Sequence, residues 1–193
     1  MSCAECRQIF ASGLEGVDLQ IAIDSKFPNF ACEECSISEY SPGTVHADEH
    51  IVFLTIHPIH YDEKTGVLLP IAFQQLTKND LSVLRRHHAT IAEFDIVRSQ
   101  LTYGGSKKVE RSVEWCCVVQ VSTIRAAEDP NGRTLGLYDT ALEPLPSHAS
   151  VFVRKDFLDS AEKRLEARRL ALSIFAPNLV RLDTVMIDST TPS

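Results

Sequence analysis

The sequence predicts an α+β fold: a body with a mixed or antiparallel sheet and two main helices, preceded by a zinc-ribbon-like four-cysteine module. Three observations carry this. Strand-like apolar runs outnumber amphipathic stretches along residues 43–188, and the two types do not alternate strictly. Two Cys-x-x-Cys pairs, Cys3 with Cys6 and Cys32 with Cys35, fall at the start of the chain. The 193 residues, 44% hydrophobic and 23% charged, suffice for one ordinary core with a small unit beside it. The expected organisation is a module over 1–42, a body over 43–188 and a flexible tail over 189–193.

Within the module, Val17, Leu19, Ile21 and Ile23 alternate with polar or small residues, which predicts a half-buried strand ending at the Phe27-Pro28-Asn29 turn. The polar stretch Ser36–Asp48, with Pro42-Gly43, marks the boundary. The body opens on His50–His57, continuous in apolar character and therefore interior to a sheet. A turn over 62–66 leads to a second strand, Val67–Phe73, interrupted by Pro70. Thr90 and Glu93 stand at capping-box spacing, Ile91, Phe94, Ile96, Val97 and Leu101 supply an apolar stripe, and Gly104-Gly105 closes that helix.

A long strand is predicted over Arg111–Arg125, where the adjacent thiols of Cys116 and Cys117 must point to opposite faces and so cannot share one ion. Asp129-Pro130-Asn131-Gly132 predicts a hairpin turn into Thr134–Tyr138, followed by a short strand over Ser150–Val153. The longest helix is expected from Asp156 to Phe175, with Leu158, Ala161, Leu165, Leu172 and Phe175 facing the core and Pro177 ending it. A final strand is expected over Leu179–Ile187.

The net charge of −7 is concentrated: the whole acidic excess lies in residues 1–50. This excludes a uniformly basic nucleic-acid binder, whose affinity rests on phosphate neutralisation. It points to a protein partner with a basic surface, or to this chain's own Arg85-Arg86 or the helix over 156–175. The first residues hold no apolar signal-peptide core, and no run reaches the roughly 20 apolar residues of a membrane span. The expected location is the cytoplasm.

In a reducing cytoplasm, paired cysteines read as metal ligands before they read as disulfides. Two residues between cysteines let one turn aim both sulfurs at a single ion, and two such turns complete a tetrahedral thiolate shell. The expectation is one structural Zn²⁺ held by Cys3, Cys6, Cys32 and Cys35, with an iron–sulfur centre as the alternative. A closed shell leaves no position for water, so the leading reading is a binding module and not a catalytic zinc.

The alternative places an enzyme in the body, a hydrolase or transferase acting on a polar or phosphorylated substrate. His57 and His60 flank Pro58 at a strand end, and His148 follows Pro144 and Pro146 in a loop that Asp139 precedes. Together these four form a candidate acid/base set, provided that they converge in one cleft. Ser82 and Ser147 are its nominal nucleophiles, although no nucleophile-elbow, Walker or zinc-protease motif occurs. A third reading is an interaction subunit of a larger assembly. The run Leu81–His88, in which a leucine-serine pair leads to Arg86-His87, resembles a short segment of the RNA 2′-phosphotransferases. That family's later arginine and histidine motifs have no counterpart here, and its activity is not carried over.

Overall fold

Ile51 and Phe53 project to one side of the first strand and Val52 and Leu54 to the other, and all four are buried. A strand apolar on both sides must lie inside a sheet covered on both faces. A computed structural model of the chain describes residues 3–62, 64–104 and 109–188, and it shows this arrangement. The strands are β1 (His50–Leu54), β2 (Leu81–Arg85), β3 (Trp115–Gln120), a two-strand hairpin of β4 (Glu128–Asp129) and β5 (Gly132–Arg133), β6 (Leu135–Tyr138), β7 (His148–Val153) and β8 (Leu179–Arg181). Six of them form one antiparallel sheet in the order β6-β7-β2-β1-β3-β8.

One face packs the main core. Ile51, Phe53, Val83, Cys117, Val119, Leu137 and Val151 meet α5 (Ala161–Phe175) and the short helical segments Pro70–Phe73 and Gln75–Thr77. The buried stripe of α5 is Ala167, Ala171 and Phe175, while Leu165 faces outward. It lies off the stripe expected from the leucines, because alanines let the helix axis come close to the sheet. Arg168 then reaches Thr77 Oγ1 at 2.8 and 2.9 Å.

The opposite face has two separate covers. Over β6 and β7 lies the N-terminal segment: α1 (Cys3–Phe10), α2 (Gly16–Lys26) and the 3-10 stretch Pro28–Glu34. Over β1, β2 and β3 lies α3 (Ile91–Tyr103), whose Phe94 packs with Val52, Leu54, Leu84 and Cys116. Cys116 and Cys117 therefore do divide between the two faces, and burial pushes both thiols up to about 12.

The strand expected over Val17–Ile23 is instead α2. Its inward positions are Val17, Gln20 and Ile23, a helical spacing that the two-residue alternation mimics. Gln20 decides the matter by tertiary bonding. Its amide donates to the carbonyls of Leu76 and Asn79 and accepts from the Val153 N–H, fastening α2 across the end of β7.

Four other expectations are corrected. Val67–Phe73 forms a bridge of Leu68 with Tyr61 and then the short helical segment Pro70–Phe73. The long strand over Arg111–Arg125 ends at Gln120 and turns into α4 (Val121–Arg125), whose first two N–H groups donate to the carbonyls of Glu49 and Ala47. The last strand stops at Arg181 and continues as α6 (Leu182–Asp188). The helix expected from Asp156 begins as the 3-10 turn Lys155–Leu158, and α5 starts after the Ser160 cap. Gly105 and the tail over 189–193 lie outside the described residues.

The four N-terminal cysteines hold no zinc. They pair as disulfides, Cys3 with Cys35 and Cys6 with Cys32, at Cα–Cα distances of 5.3 and 5.8 Å. The physical reason lies in α1. On a helix, Cys-x-x-Cys places both thiols on one face, and here that face meets Cys32 and Cys35 at the end of the 3-10 stretch. A sulfur consumed in a disulfide has no thiolate to offer a metal. Among the described residues no group of three or more His, Cys, Asp or Glu side chains is arranged to hold a metal ion. The zinc-ribbon description and the zinc cofactor are thereby overturned, and with them the reading of this chain as a zinc-binding module. The reading of the cysteines as reduced followed from the cytoplasmic expectation, and two disulfides point instead to an oxidising compartment. Among the described residues no helix is long and apolar enough to cross a membrane.

Candidate functional site

Ser82 lies on β2, third in the six-strand order, and is nonetheless exposed. A mid-sheet side chain meets solvent only where the layer over it is interrupted. The interruption lies beside α3, and it holds a cleft of about 430 Å³ that also reaches the short helical segments Pro70–Phe73 and Gln75–Thr77. That lies within the roughly 300–1,000 Å³ range of small-ligand sites. Val52, Leu54 and Leu84 line the sheet side, Val97 and Leu101 the α3 side, and Ile56 and Ile59 the end beyond β1. The polar groups on this apolar surface include His60, Arg111, Asp80, Ser82 and His148.

His60 sits on the turn after β1. Its Nδ1 accepts the Ile56 N–H at 3.0 Å, so the neutral ring carries its proton on Nε2. Burial, aided by the Arg111 charge, lowers its pKa to about 4, and the ring stays neutral around pH 7. Its flat side stacks on Phe53 at 6.2 Å between centroids, which fixes the ring plane. Arg111 lines the same cleft, and its Nε is buried without a hydrogen-bond partner.

His148 begins β7 and pairs with Leu84 of β2, so its side chain shares the cleft face. Its Nδ1 lies 3.0 Å from the Thr140 carbonyl and 3.0 Å from Thr140 Oγ1. A chain of hydroxyls continues from there: Thr140 Oγ1 is 2.7 Å from Ser150 Oγ, which donates to Asp80 Oδ2. The directions follow from the acid end. Ser150 spends its proton on Asp80, Thr140 spends its own on Ser150, and Nδ1–H of His148 donates to Thr140. The Nε2 of neutral His148 is left with a lone pair.

Asp139 is fully buried elsewhere, beside Arg85 at 3.7 Å, and neither of its carboxylate oxygens has a hydrogen bond. Arg85 is itself buried and grips Glu49 through Nε at 2.9 Å and Nη2 at 2.7 Å, while also donating to the carbonyls of Gly43 and Thr44. Burial acts to raise the Glu49 pKa, but the Arg85 hydrogen bond and the His46 N–H outweigh it and hold the carboxyl below its usual value. The cluster ties the segment over 43–49 to β2. His88 Nε2 approaches Glu49 at 3.8 Å from the surface side.

Of the predicted body residues, His60 and His148 share one cleft. His57 does not join them; it is exposed and packs at a tilt against Tyr61, 5.8 Å between centroids. Asp139 does not join them either, because it balances Arg85. The acid/base set therefore does not converge as a foursome. No hydrogen bond links Ser82 to His148, and Ser147 is buried, with its N–H given to Glu93.

Sequence reasoning missed Arg111, Asp80, Thr140 and Ser150. One signal was available. Along His148–Val153, period-2 alternation puts His148 and Ser150 on one face, and two polar residues in a strand interior mark a face that is not simply core. Comparisons with protein-family models, curated proteins and solved structures find no match to this chain. The cleft and its chemistry therefore carry the functional reading.

Proposed function

We propose that this protein binds a small amphipathic carboxylic acid in the cleft between α3 and the sheet. One observation carries the reading: the buried Arg111 Nε, without a hydrogen-bond partner, at a cavity whose walls are mostly apolar. An unsatisfied buried donor is costly, and a ligand acceptor would relieve that cost. The acid's carboxylate would meet Arg111 and the Nε2–H of His60, while its apolar body lies against Leu84, Leu101 and Val52. A carboxylate suits the site better than a phosphate dianion, because Asp80 lines the same cleft and repels additional negative charge. The two disulfides support action in an oxidising compartment.

Isothermal titration calorimetry with hexanoate, octanoate and 3-phenylpropionate tests the reading, with the matching alcohols as controls. The acids are expected to bind and the alcohols to bind more weakly. The Arg111→Gln variant is expected to lose tenfold or more in affinity, roughly the value of one charge-assisted hydrogen bond. Equal affinity for acid and alcohol, or an unchanged Arg111→Gln variant, overturns the proposal.

A further inference from the structure

We infer that the β6 edge of the sheet is a latent docking strand, closed by the Glu33–Arg133 ion pair while the two disulfides are intact. On reduction it pairs antiparallel with β6 of a second copy of this chain. The inference is independent of the cleft.

β6 stands at one end of the strand order, so one side of its backbone has no strand of the sheet beside it. Unpaired N–H and C=O groups on an edge strand recruit another strand unless something blunts them. Here two side chains do so. Glu33 accepts the Leu137 N–H at 2.5 Å, and Arg133 Nη2 donates to the Leu135 carbonyl at 3.1 Å. The same guanidinium holds the same carboxylate through two bonds of 2.9 Å. The ion pair therefore offers β6 one acceptor and one donor where a neighbouring strand would offer its own backbone. Just beyond it, Ser36 bridges Asp139 as a single parallel step.

What keeps Glu33 in place is its own segment. It stands between Cys32 and Cys35, which are tied to Cys6 and Cys3 on α1. Upstream, Asn29 and Phe30 both hold φ of 58°, a left-handed conformation that non-glycine residues keep only where their surroundings impose it. The Phe30 ring lies over Gly136, where a Cβ would collide with it. Cutting both disulfides frees a segment that its own backbone does not favour. The reductant is a dithiol. Each protein disulfide takes up two electrons and two protons, its S–S bond breaks to two thiols, and the dithiol closes to a disulfide.

The uncovered edge is complementary to itself. Leu137 N and Leu135 O point outward, and Val153, opposite Leu135 on β7, likewise sends its N–H elsewhere, to Gln20. In an antiparallel strand the N–H and C=O of one residue point the same way. A two-fold axis beside Gly136 then sets Leu135 opposite the partner's Leu137 and Leu137 opposite the partner's Leu135. Both pairs exchange N–H and C=O, and the interface is the same patch on each copy. Gly136, at the axis, brings no side chain to the closest contact.

The test is the mass in solution by light scattering, with amide exchange read by mass spectrometry, with and without dithiothreitol. Oxidised protein is expected to be monomeric. Reduced protein is expected to show an about twofold rise in mass, with exchange over residues 135–138 slowing as concentration rises. A folded reduced monomer overturns the inference, and so does a dimer that forms without reductant. A reduced dimer whose exchange over 135–138 ignores concentration docks by another surface and overturns it too. Where reduction unfolds the whole chain, Glu33→Ala/Arg133→Ala with both disulfides intact decides. This variant is expected to dimerise without reductant, and a folded monomer overturns the inference.

Discussion

The two covers on one face of the sheet solve the same problem by different means. The N-terminal cover brings Phe10, Ile23, Phe27 and Phe30 onto Tyr138 and Phe152, and two disulfides close it. Cover α3 has no covalent link and relies on Phe94, Val97 and Leu101 and on its capping box. Each also sends one buried glutamate to a backbone N–H of the sheet side. Glu33 accepts from Leu137 N and pairs with both guanidinium nitrogens of Arg133 at 2.9 Å. Glu93 accepts from Ser147 N at 2.9 Å and from Thr90 N at 2.8 Å. The N-terminal cover is built from separate short helices, and the disulfides tie the first of them to the last 3-10 stretch, whereas the thirteen residues of α3 form one continuous helix held by packing and one cap. The cleft lies beside α3, and α3, the sheet and the segment over 71–75 line it, so it depends on α3 keeping its place.

The largest expected effect comes from the staple. Reducing both disulfides, or replacing all four of these cysteines by serine, should cost about 3–5 kcal/mol, read as a lower urea midpoint. Amide exchange should then rise across α1 and α2 and stay slow in α3. An unchanged midpoint under tris(2-carboxyethyl)phosphine would remove the distinction between the covers. Intact-mass analysis after alkylation under denaturing, non-reducing conditions should find two reactive thiols of six, Cys116 and Cys117.

Next is Glu93→Ala, which deletes the capping box and leaves the buried Ser147 N–H without its acceptor. A loss of about 2–4 kcal/mol in denaturant unfolding is expected. A loss below half a kcal/mol would mean that α3 is held by its apolar face alone.

A smaller effect is expected at Gly136, where a Cβ would lie 2.1 Å from the Phe30 ring. Gly136→Ala should cost about 1–3 kcal/mol by displacing that ring. Adding Phe30→Leu should recover part of the loss, and strict additivity of the two would disprove the contact.

The most local effect is a pH dependence at the cleft. The unfolded chain protonates His60 near 6.5, while the folded protein resists until about 4. The unfolded state therefore binds more protons between those values, and stability falls as pH drops through that window and levels off below it. His60→Asn should flatten this slope in urea titrations. An identical slope in the variant would assign it to other groups.

The residues most legible in the sequence were those whose signal is local. Thr90 and Glu93 bond as a capping box, as their spacing indicates, because such a cap needs one turn of helix and nothing else. The continuous apolar run after His50 read as an interior strand for the same reason. Val17–Ile23 misled because alternation and helical spacing coincide over seven residues, and Gln20 settles the matter through partners 56, 59 and 133 positions away. The cysteine spacing was equally local and equally ambiguous: a turn and a helix both bring Cys-x-x-Cys sulfurs together, and only the partner pair decides between an ion and disulfides.

At the site, the histidine types were visible as candidates, and their chemistry was not. The His148 ring is oriented through Thr140, Ser150 and Asp80, which lie on three different segments. His60 becomes a donor through the Ile56 N–H and stays neutral through burial beside Arg111. His57, equally suggestive in sequence, faces solvent. The sequence by itself determined an α+β chain with a sheet apolar on both faces, a capped helix after Ala89, and an acidic, cysteine-bearing start. The tertiary structure alone decided which cysteines join, which carboxylate serves Arg85, and which histidines line one cleft. Local patterns encode propensity and periodicity, but tautomer, burial and pairing depend on atoms brought together from distant parts of the chain.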